Sequence, residues 1–405
     1  MFNNNYKLYI NLFFIPIKLL YILIIKIEKY LIMSKIFLIG DTHIALGYPN
    51  KVDKWFNTHI EYFDKFLFPL LEREISDGDI IVHLGDFFDN RNIIPINLLN
   101  YGMTVVERLA KLAPLHILIG NHDCWHKSTS EINTMRPFKY IPNVFIYEET
   151  TQIDFMDKSI LMMPYIEKKK AQVDLLNKFS TDYLFCHSDL NGAKMHLTSV
   201  AHKNNDKIDV EAFSGYKNVY SGHIHLLQRK SNFTFIGSIF EMDRNDTDNQ
   251  KGLFILDVLN GTERFIPNNI SPKFKKVYLL NEGDIESLGD VSTKDYIDLF
   301  ISNSLLINNR KLRRKLEVML ETGNFASVEY LDDLAVENIN KEDKIVEHKE
   351  IDIENIHTIE LEYTEMIKTY INNQKHDSDK IKKGILNEFN EIVSVYEDNY
   401  KNLKD

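Results

Sequence analysis

The chain has 405 residues, of which 44% are hydrophobic and 26% are charged, and its formal net charge at pH 7 is −11. This length exceeds an average single domain, and the composition excludes collagen-like, repetitive and wholly disordered proteins. The net charge is +3 for residues 1–33, −5 for 34–260 and −9 for 261–405, which excludes a broad basic surface that would hold DNA by neutralising phosphates alone.

The first element is a hydrophobic stretch, Leu8–Ile25, with about the length of a membrane span or a signal-peptide core. Lys18 and Pro16 disfavour a membrane span, and a signal peptide would need a small-residue cleavage site before Met33. We favour a third interpretation, in which residues 1–32 are an upstream extension of the reading frame. Both membrane interpretations stay open.

From residue 34 to about 265, short apolar runs alternate with amphipathic stretches. The apolar runs predict buried strands over 35–39, 79–84, 115–119, 143–147, 159–164, 182–186 and 218–221. Apolar residues at helical spacing predict helices over 52–75, 95–112 and 168–179. This alternation predicts an α/β fold with a largely parallel sheet covered on both faces, and the closely spaced runs after Gly222 predict antiparallel strands that close the core.

A second set of predicted elements follows a proline-containing link at 266–274. Two strand candidates (275–280 and 295–302) and a basic helix candidate (308–320) predict a small α+β cap. An Asp-, Glu- and Lys-rich stretch predicts a linker, and two amphipathic helices with an apolar stripe for docking finish the chain. We therefore expect an extension at 1–33, a catalytic domain at 34–269, a cap at 270–331, a linker at 332–356 and a helical segment at 357–405.

Five short motifs fall at or just beyond the predicted strand ends: GDTH at 40–43, GDFFDNR at 85–91, GNHD at 120–123, CH at 186–187 and GHIH at 222–225. Open α/β sheets build their sites at the carboxyl ends of strands, and a glycine before a ligand lets the backbone turn sharply. Seven candidate ligands result: Asp41, His43, Asp86, Asn121, His187, His223 and His225. Carboxylate, amide oxygen and imidazole together suit Mn²⁺, Fe or Zn²⁺ better than Ca²⁺.

In this order the motifs resemble the signature of calcineurin-like metallophosphoesterases, and the resemblance covers residues 34–265. It implies a four-layer α-β-β-α sandwich with two divalent metal ions, for which we expect Mn²⁺. By the same resemblance one metal takes Asp41, His43, Asp86 and His225, and the other takes Asp86, Asn121, His187 and His223. Asp86 is the natural bridge, because a carboxylate can bind two metals whereas a neutral imidazole uses one nitrogen.

Three further residues are candidates for the chemistry around the metals. His122 is the candidate general acid, and Asp89 is expected to orient it, its carboxylate favouring the imidazolium form. Arg91 either holds a phosphate oxygen of the substrate or braces Asp89.

Within this class the chain is similar to the SbcD-like nuclease subunits of double-strand-break repair complexes, and particularly to those of the recombination endonucleases of T-even bacteriophages. The similarity rests on GNHDCWHK at 120–127, HSDLNG at 187–192, FIPNN at 265–269 and KDYIDLFIS at 294–302. It implies a DNA exonuclease and endonuclease that acts in repair and recombination as a homodimer within a heterotetramer. Its partner would be a coiled-coil SMC-like ATPase, bound with the help of the two C-terminal helices.

Two other function classes stay open. A protein or small-molecule phosphatase would share the metal motifs, although GDFFDNR lacks the glycine after arginine that is typical of protein phosphatases. A non-catalytic scaffold would need lost ligands, and all seven are present.

Several neighbouring residues have structural interpretations. We expect His83 and His116 to be structural, and Asp123 either to orient a ligand or to lie on a surface loop. Cys124 and Cys186 are expected to pack in the core. Two cysteines are too few for a disulfide framework and favour a reducing compartment, the cytoplasm of the cell or host.

Overall fold

The computed structural model describes residues 34–46, 52–199, 206–284, 294–321 and 325–332, together with residues 201, 204 and 336. The predicted N-terminal extension and C-terminal helices lie outside the described residues, as does the predicted linker apart from residues 332 and 336. The chain divides into two units, Met1–Asp333 and Leu334–Asp405, and every element described below belongs to the first. Among the described helices, none has the length and hydropathy needed to cross a membrane.

The strands of the first central sheet are β1 (Lys35–Ile39), β2 (Ile80–His83), β3 (Leu115–Leu118), β6 (Val144–Tyr147), β13 (Gly252–Asp257) and β14 (Thr262–Pro267). Their order is β14-β13-β1-β2-β3-β6. The strands β1, β2, β3 and β6 run parallel, while β13 pairs antiparallel with both β1 and β14. A hairpin of β4 (Cys124–His126) and β5 (Thr129–Asn133) lies between β3 and β6 in the chain.

The strands of the second sheet are β7 (Thr151–Phe155), β8 (Lys158–Met163), β9 (Tyr183–His187), β10 (Asn218–Gly222), β11 (Gln228–Lys230) and β12 (Phe233–Phe235). Their order is β11-β12-β10-β9-β8-β7, with β12, β10, β9 and β8 parallel and the two edge strands antiparallel.

Side-chain alternation along the strands divides the core into layers, because successive residues of a strand point to opposite faces. Ile36 and Leu38 of β1 pack in one cluster with Met162 and Phe185 of the second sheet. The alternate β1 residues, such as Phe37, pack on the helices Val52–Glu61, Phe68–Glu74 and Ile96–Leu112. The outer face of the second sheet packs on the helix Lys169–Lys178. The fold is therefore the expected four-layer α-β-β-α sandwich.

The structure differs from the sequence pattern in three respects. The alternation predicted one sheet covered on both faces, whereas two sheets pack against each other. The strand β12 pairs parallel with β10, whereas the pairs β11–β12 and β13–β14 are antiparallel, as was predicted for the strands after Gly222. The long helix predicted over 52–75 contains a π-helical turn at Tyr62–Leu67, and its aromatic face is buried inside the chain.

A smaller element packs beside the sandwich. Its strands β15 (Phe274–Leu279), β16 (Tyr296–Ser302) and β17 (Phe325–Leu331) form a parallel sheet, with helices at Asn303–Asn308 and Arg310–Glu321. The predicted basic helix thus begins two residues later than expected and is preceded by a separate short helix. We call this element the cap sheet, and Arg244 joins it to the sandwich by two hydrogen bonds to the Asp298 carboxylate, at 2.5 and 2.8 Å.

Candidate metal centre

The five motifs meet at one edge of the sandwich, because both parallel sheets direct the carboxyl ends of their strands toward it. The loops after β1, β2 and β3 supply Asp41, His43, Asp86 and Asn121, and β9 and β10 with the loop after β10 supply His187, His223 and His225. His43, Asp86 and His223 have positive φ angles of 40°, 53° and 82°, which non-glycine residues rarely adopt. Such strain is typical of functional sites, where the surrounding structure holds the backbone in place.

One group of candidate ligands consists of Asp41, His43 and His225. The Nε2 atoms of His43 and His225 lie 3.1 Å apart, and the Asp41 Oδ2 atom lies 3.8 Å from the Nε2 atom of His225. Two imidazole nitrogens and a carboxylate oxygen thus converge on a volume suited to one cation.

A second group consists of Asp86, His187 and His223, with Asn121 among them. The Asn121 Oδ1 atom lies 3.0 Å from His187 Nε2 and 2.7 Å from His223 Nδ1. The Asp86 Oδ2 atom lies 3.3 Å from His187 Nε2 and 3.6 Å from His43 Nε2. Asp86 is therefore the carboxylate between the two groups, and the structure brings all seven predicted ligands together.

The chemistry of this donor set fits divalent cations. The Oδ1 atom of Asp41 is buried and has no hydrogen-bond partner among the described residues, and a bound cation would satisfy this oxygen. Burial lowers the pKa of His187, but the carboxylates of Asp86 and Asp41 outweigh it and raise that pKa to about 9. For His43, burial is similarly outweighed, by the nearby Asp89 carboxylate and the charges of Asp86 and Asp41, and its pKa rises to about 9. The field at the centre therefore favours positive charge.

Groups outside the two clusters contact the imidazoles through their other ring nitrogens. His187 Nδ1 lies 2.7 Å from the Leu84 carbonyl oxygen, His223 Nε2 lies 3.3 Å from Asp189 Oδ1, and His225 Nδ1 lies 3.7 Å from Asp246 Oδ2. Such partners fix the ring orientation of a metal-binding histidine and raise its basicity. Sequence reasoning missed Asp189 and Asp246. The position of Asp189 two residues after His187 was an available signal, whereas nothing local marked Asp246.

Asp123 braces the loops that carry the ligands. Its carboxylate is buried and accepts hydrogen bonds from the backbone N–H groups of Asp86 (2.8 Å), Phe87 (3.1 Å) and Gly120 (2.9 Å), and from the Thr134 hydroxyl (3.1 Å). The alternative of a surface-loop residue is therefore wrong for Asp123, because three backbone donors of two ligand loops converge on it. His83 is structural, as expected: buried, it contacts the Thr42 hydroxyl at 3.1 Å through Nε2.

His122 and Asp89 lie at the open side of the centre, but their contact differs from the predicted one. His122 Nδ1 donates to the main-chain carbonyl oxygen of Asp89 at 2.7 Å and lies 3.8 Å from its carboxylate. That carboxylate is closer to His43, with 3.3 Å between Oδ1 and Nδ1. Burial lowers the pKa of His122, so the expected stabilisation of its imidazolium by Asp89 does not dominate. The backbone carbonyl of Asp89, rather than its side chain, orients the His122 ring.

The predicted brace between Arg91 and Asp89 is absent: within the part of the chain that the structure describes, Arg91 has no hydrogen bond or ion pair. Its charge lies close enough to Tyr165 and Cys124 to oppose the rise of their pKa values that burial causes. The Arg91 guanidinium is thus free to bind an anion.

A cavity of about 420 Å³ opens over both groups. Its lining contains ligands of both clusters together with His122 and Asp89, and it also includes the apolar residues Trp55, Met195 and Met242. The cavity can therefore hold a phosphate ester next to both ligand groups.

Comparison with known proteins agrees with this geometry. Residues 34–227 match the family model described as calcineurin-like phosphoesterase. "Exonuclease subunit 1" of Enterobacteria phage T4 is 28% identical over 193 residues, which are 46% of this chain and 56% of that protein. "Putative phosphoesterase 244L" of Invertebrate iridescent virus 6 is 28% identical over 55% of this chain and 75% of its own length. "Putative phosphoesterase 078R" of Invertebrate iridescent virus 3 is 26% identical over 50% of this chain and 56% of its own length. The match thus spans little more than half of the phage T4 protein.

Proposed function

Since residues 34–227 of this chain form a calcineurin-like phosphoesterase domain, a hydrolase of ester bonds that uses divalent metals, we propose that the chain is a DNA nuclease. The observation that carries the proposal is the joint presence of two adjacent ligand clusters that line one cavity. A relative named as an exonuclease subunit supports DNA as the substrate.

We assign one metal to Asp41, His43, Asp86 and His225, and the other to Asp86, Asn121, His187 and His223. When bound, such ions polarise a phosphoryl oxygen and supply hydroxide near neutral pH. The mixed carboxylate, amide and imidazole donors suit Mn²⁺, Fe or Zn²⁺, and from the family resemblance we propose Mn²⁺ as the native metal.

The remaining residues bind the substrate and move a proton. Arg91 is proposed to hold a non-bridging phosphate oxygen, since its guanidinium has no ion-pair partner among the described residues. His122 is proposed to protonate the leaving oxygen from Nε2, because its Nδ1–H is already donated to the Asp89 carbonyl oxygen.

The larger assembly belongs to the same proposal. We propose that the chain works with a coiled-coil SMC-like ATPase in double-strand-break repair and recombination, as a homodimer within a heterotetramer. The word "subunit" in the name of the phage T4 relative supports a complex. Because the chain has a net charge of −11 and DNA is negatively charged, a partner would supply part of the affinity for DNA.

The test is Mn²⁺-dependent digestion of an end-labelled linear duplex by the full chain, with a phosphoserine peptide as a competing substrate. We expect DNA hydrolysis, and we expect His122→Ala to lower it by about 100-fold, as loss of a general acid does. Metal content should stay unchanged, because both metals are assigned to other residues; the His122 side chain itself lies in a third possible ligand group with His43 and Asp89, which makes the metal measurement decisive. His126→Ala is the matched control, since this histidine is exposed on the neighbouring hairpin and belongs to neither ligand group.

Dephosphorylation of the peptide with intact DNA would instead place the chain among the phosphatases. Loss of bound metal in His122→Ala would mean that His122 is a metal ligand and not the general acid.

A further inference from the structure

A short loop after β9 presents apolar side chains beside the metal centre. We call residues 193–199 the apolar loop. Its Met195 and Leu197 side chains are 52% and 47% exposed, and Met195 lines the same cavity as His43, Asp86 and Asn121. Met195 is thus a half-exposed apolar side chain in the lining of the cavity over the ligand groups, where a bound substrate would cover it.

The apolar loop is held in place by specific hydrogen bonds. The Ser199 hydroxyl accepts the backbone N–H groups of Met195 (3.0 Å) and His196 (3.1 Å) and donates to the His196 carbonyl oxygen at 2.8 Å. At its base, Lys194 donates its N–H to Gln228 Oε1 at 3.0 Å, and Gln228 Nε2 donates to the Lys194 carbonyl oxygen at 2.7 Å. The exposed side chains therefore sit on a prearranged backbone, so binding to them orders little additional chain.

The polarity of each part of a nucleotide determines which part can contact the apolar side chains of this loop. The phosphate belongs on the ligand clusters, and the sugar is polar, so the base is the remaining apolar surface. Within a duplex, the faces of a base are covered by its stacked neighbours. Met and Leu side chains contact base faces when a base step is unstacked, as apolar wedges do in proteins that open DNA.

We propose that Met195 and Leu197 hold an unstacked base beside the scissile phosphate, so that the nuclease acts on DNA ends whose terminal pair has been opened. This inference rests on the proposed nuclease function and specifies its substrate as an opened end.

The experiment compares two duplexes of equal length with Mn²⁺ and the full chain, one with a paired terminus and one with three mismatched terminal pairs. The double variant Met195→Ala/Leu197→Ala should cleave the paired end about tenfold more slowly than the parent, the cost of opening roughly one base-pair step without the wedge. Mismatched ends, which are already open, should restore most of the rate.

The matched control is Ile307→Ala/Tyr330→Ala, which removes two exposed apolar side chains from the cap sheet and its helix and should change neither rate. A second measurement is independent of turnover: 2-aminopurine at the terminal position should brighten on binding to the parent in Ca²⁺ but not to the double variant.

An equal loss on paired and mismatched ends, or no loss on either, would overturn the inference, since both outcomes remove any link to base opening. If the parent cleaves neither duplex, the proposed nuclease function fails instead, and the two failures are thereby distinguishable.

Discussion

At the scale of single residues, the geometry of the metal centre depends on a glycine, which has no side chain that could bind a metal. Gly120 follows β3 and comes directly before Asn121. A Cβ atom at this position would lie 2.2 Å from Asp86 Oδ1 and 2.3 Å from the Asp86 backbone nitrogen. Because one of these atoms belongs to the backbone, the clash cannot be relieved by a side-chain rotation alone. The absence of a side chain at residue 120 thus sets the position of the carboxylate between the two ligand groups.

We expect Gly120→Ala to lower Mn²⁺ affinity by at least about tenfold, since it displaces Asp86 from both groups. Metal analysis after dialysis, and Mn²⁺ titration followed by electron paramagnetic resonance, measure the effect. Gly215→Ala is the control, because a Cβ atom there meets nothing within 4 Å. Unchanged affinity in Gly120→Ala would show that Asp86 does not bridge the metals.

At the scale of elements, Glu241 links the sandwich to the cap sheet. Its side chain is only 3% exposed, and its Oε2 atom accepts the backbone N–H of Phe274, the first residue of β15, at 2.6 Å. The Oε1 atom has no hydrogen-bond partner among the described residues. Burial raises the pKa of Glu241 to about 7, against the opposing effects of the Phe274 hydrogen bond and the charges of Lys273 and Lys251. The junction therefore contains a carboxyl group that folding keeps protonated.

This pKa predicts a pH-dependent stability with a defined sign. The native state holds a proton that the unfolded chain releases near its ordinary pKa of 4.5, so the stabilising contribution is complete below 4.5 and is lost as pH rises toward about 7. Relative to Glu241→Gln, the parent should lose on the order of 3 kcal/mol of unfolding free energy between pH 4.5 and 8. Urea unfolding of both proteins across this range measures the difference, and parallel curves would refute the assignment.

At the scale of the whole molecule, the acidic net charge of the chain bears on which partner it would need in order to bind DNA. The region from residue 34 onward is acidic, while the centre concentrates carboxylates whose field requires cations. DNA is a polyanion, so the proposed nuclease would approach it through bound metal and a partner that supplies positive charge. The proposed ATPase would fill this role, and the C-terminal segment 357–405 is the proposed binding element.

Removal of residues 357–405 should abolish co-purification with the ATPase but spare metal-dependent hydrolysis of a small phosphodiester, because all seven proposed ligands lie between residues 41 and 225. Co-expression pull-down and a chromogenic phosphodiester assay report the two properties separately. Retention of the ATPase by the shortened chain would show that another surface binds it.

The sequence by itself determined the kinds of element and the identity of the candidate ligands. Strand and helix follow from apolar periodicities of two and 3.6 residues, and the ligands follow strand ends within motifs of two to seven residues. These properties are local, because a turn and a strand are set by the residues that form them. The four-layer architecture, by contrast, came from the resemblance of those motifs to a known family, since the alternation alone predicted a single covered sheet.

Only the tertiary structure decided how distant segments meet. Asp41 Oδ2 accepts the N–H of His223, 182 residues away, at 2.9 Å, and this contact exists only because β1 and β10 belong to two sheets packed face to face. The same packing decides that Asp189 and Asp246 contact ligand imidazoles, that a backbone carbonyl orients His122, and that Met195 lines the cavity. Contacts of this kind depend on the relative position of two sheets, which no periodicity within one segment encodes.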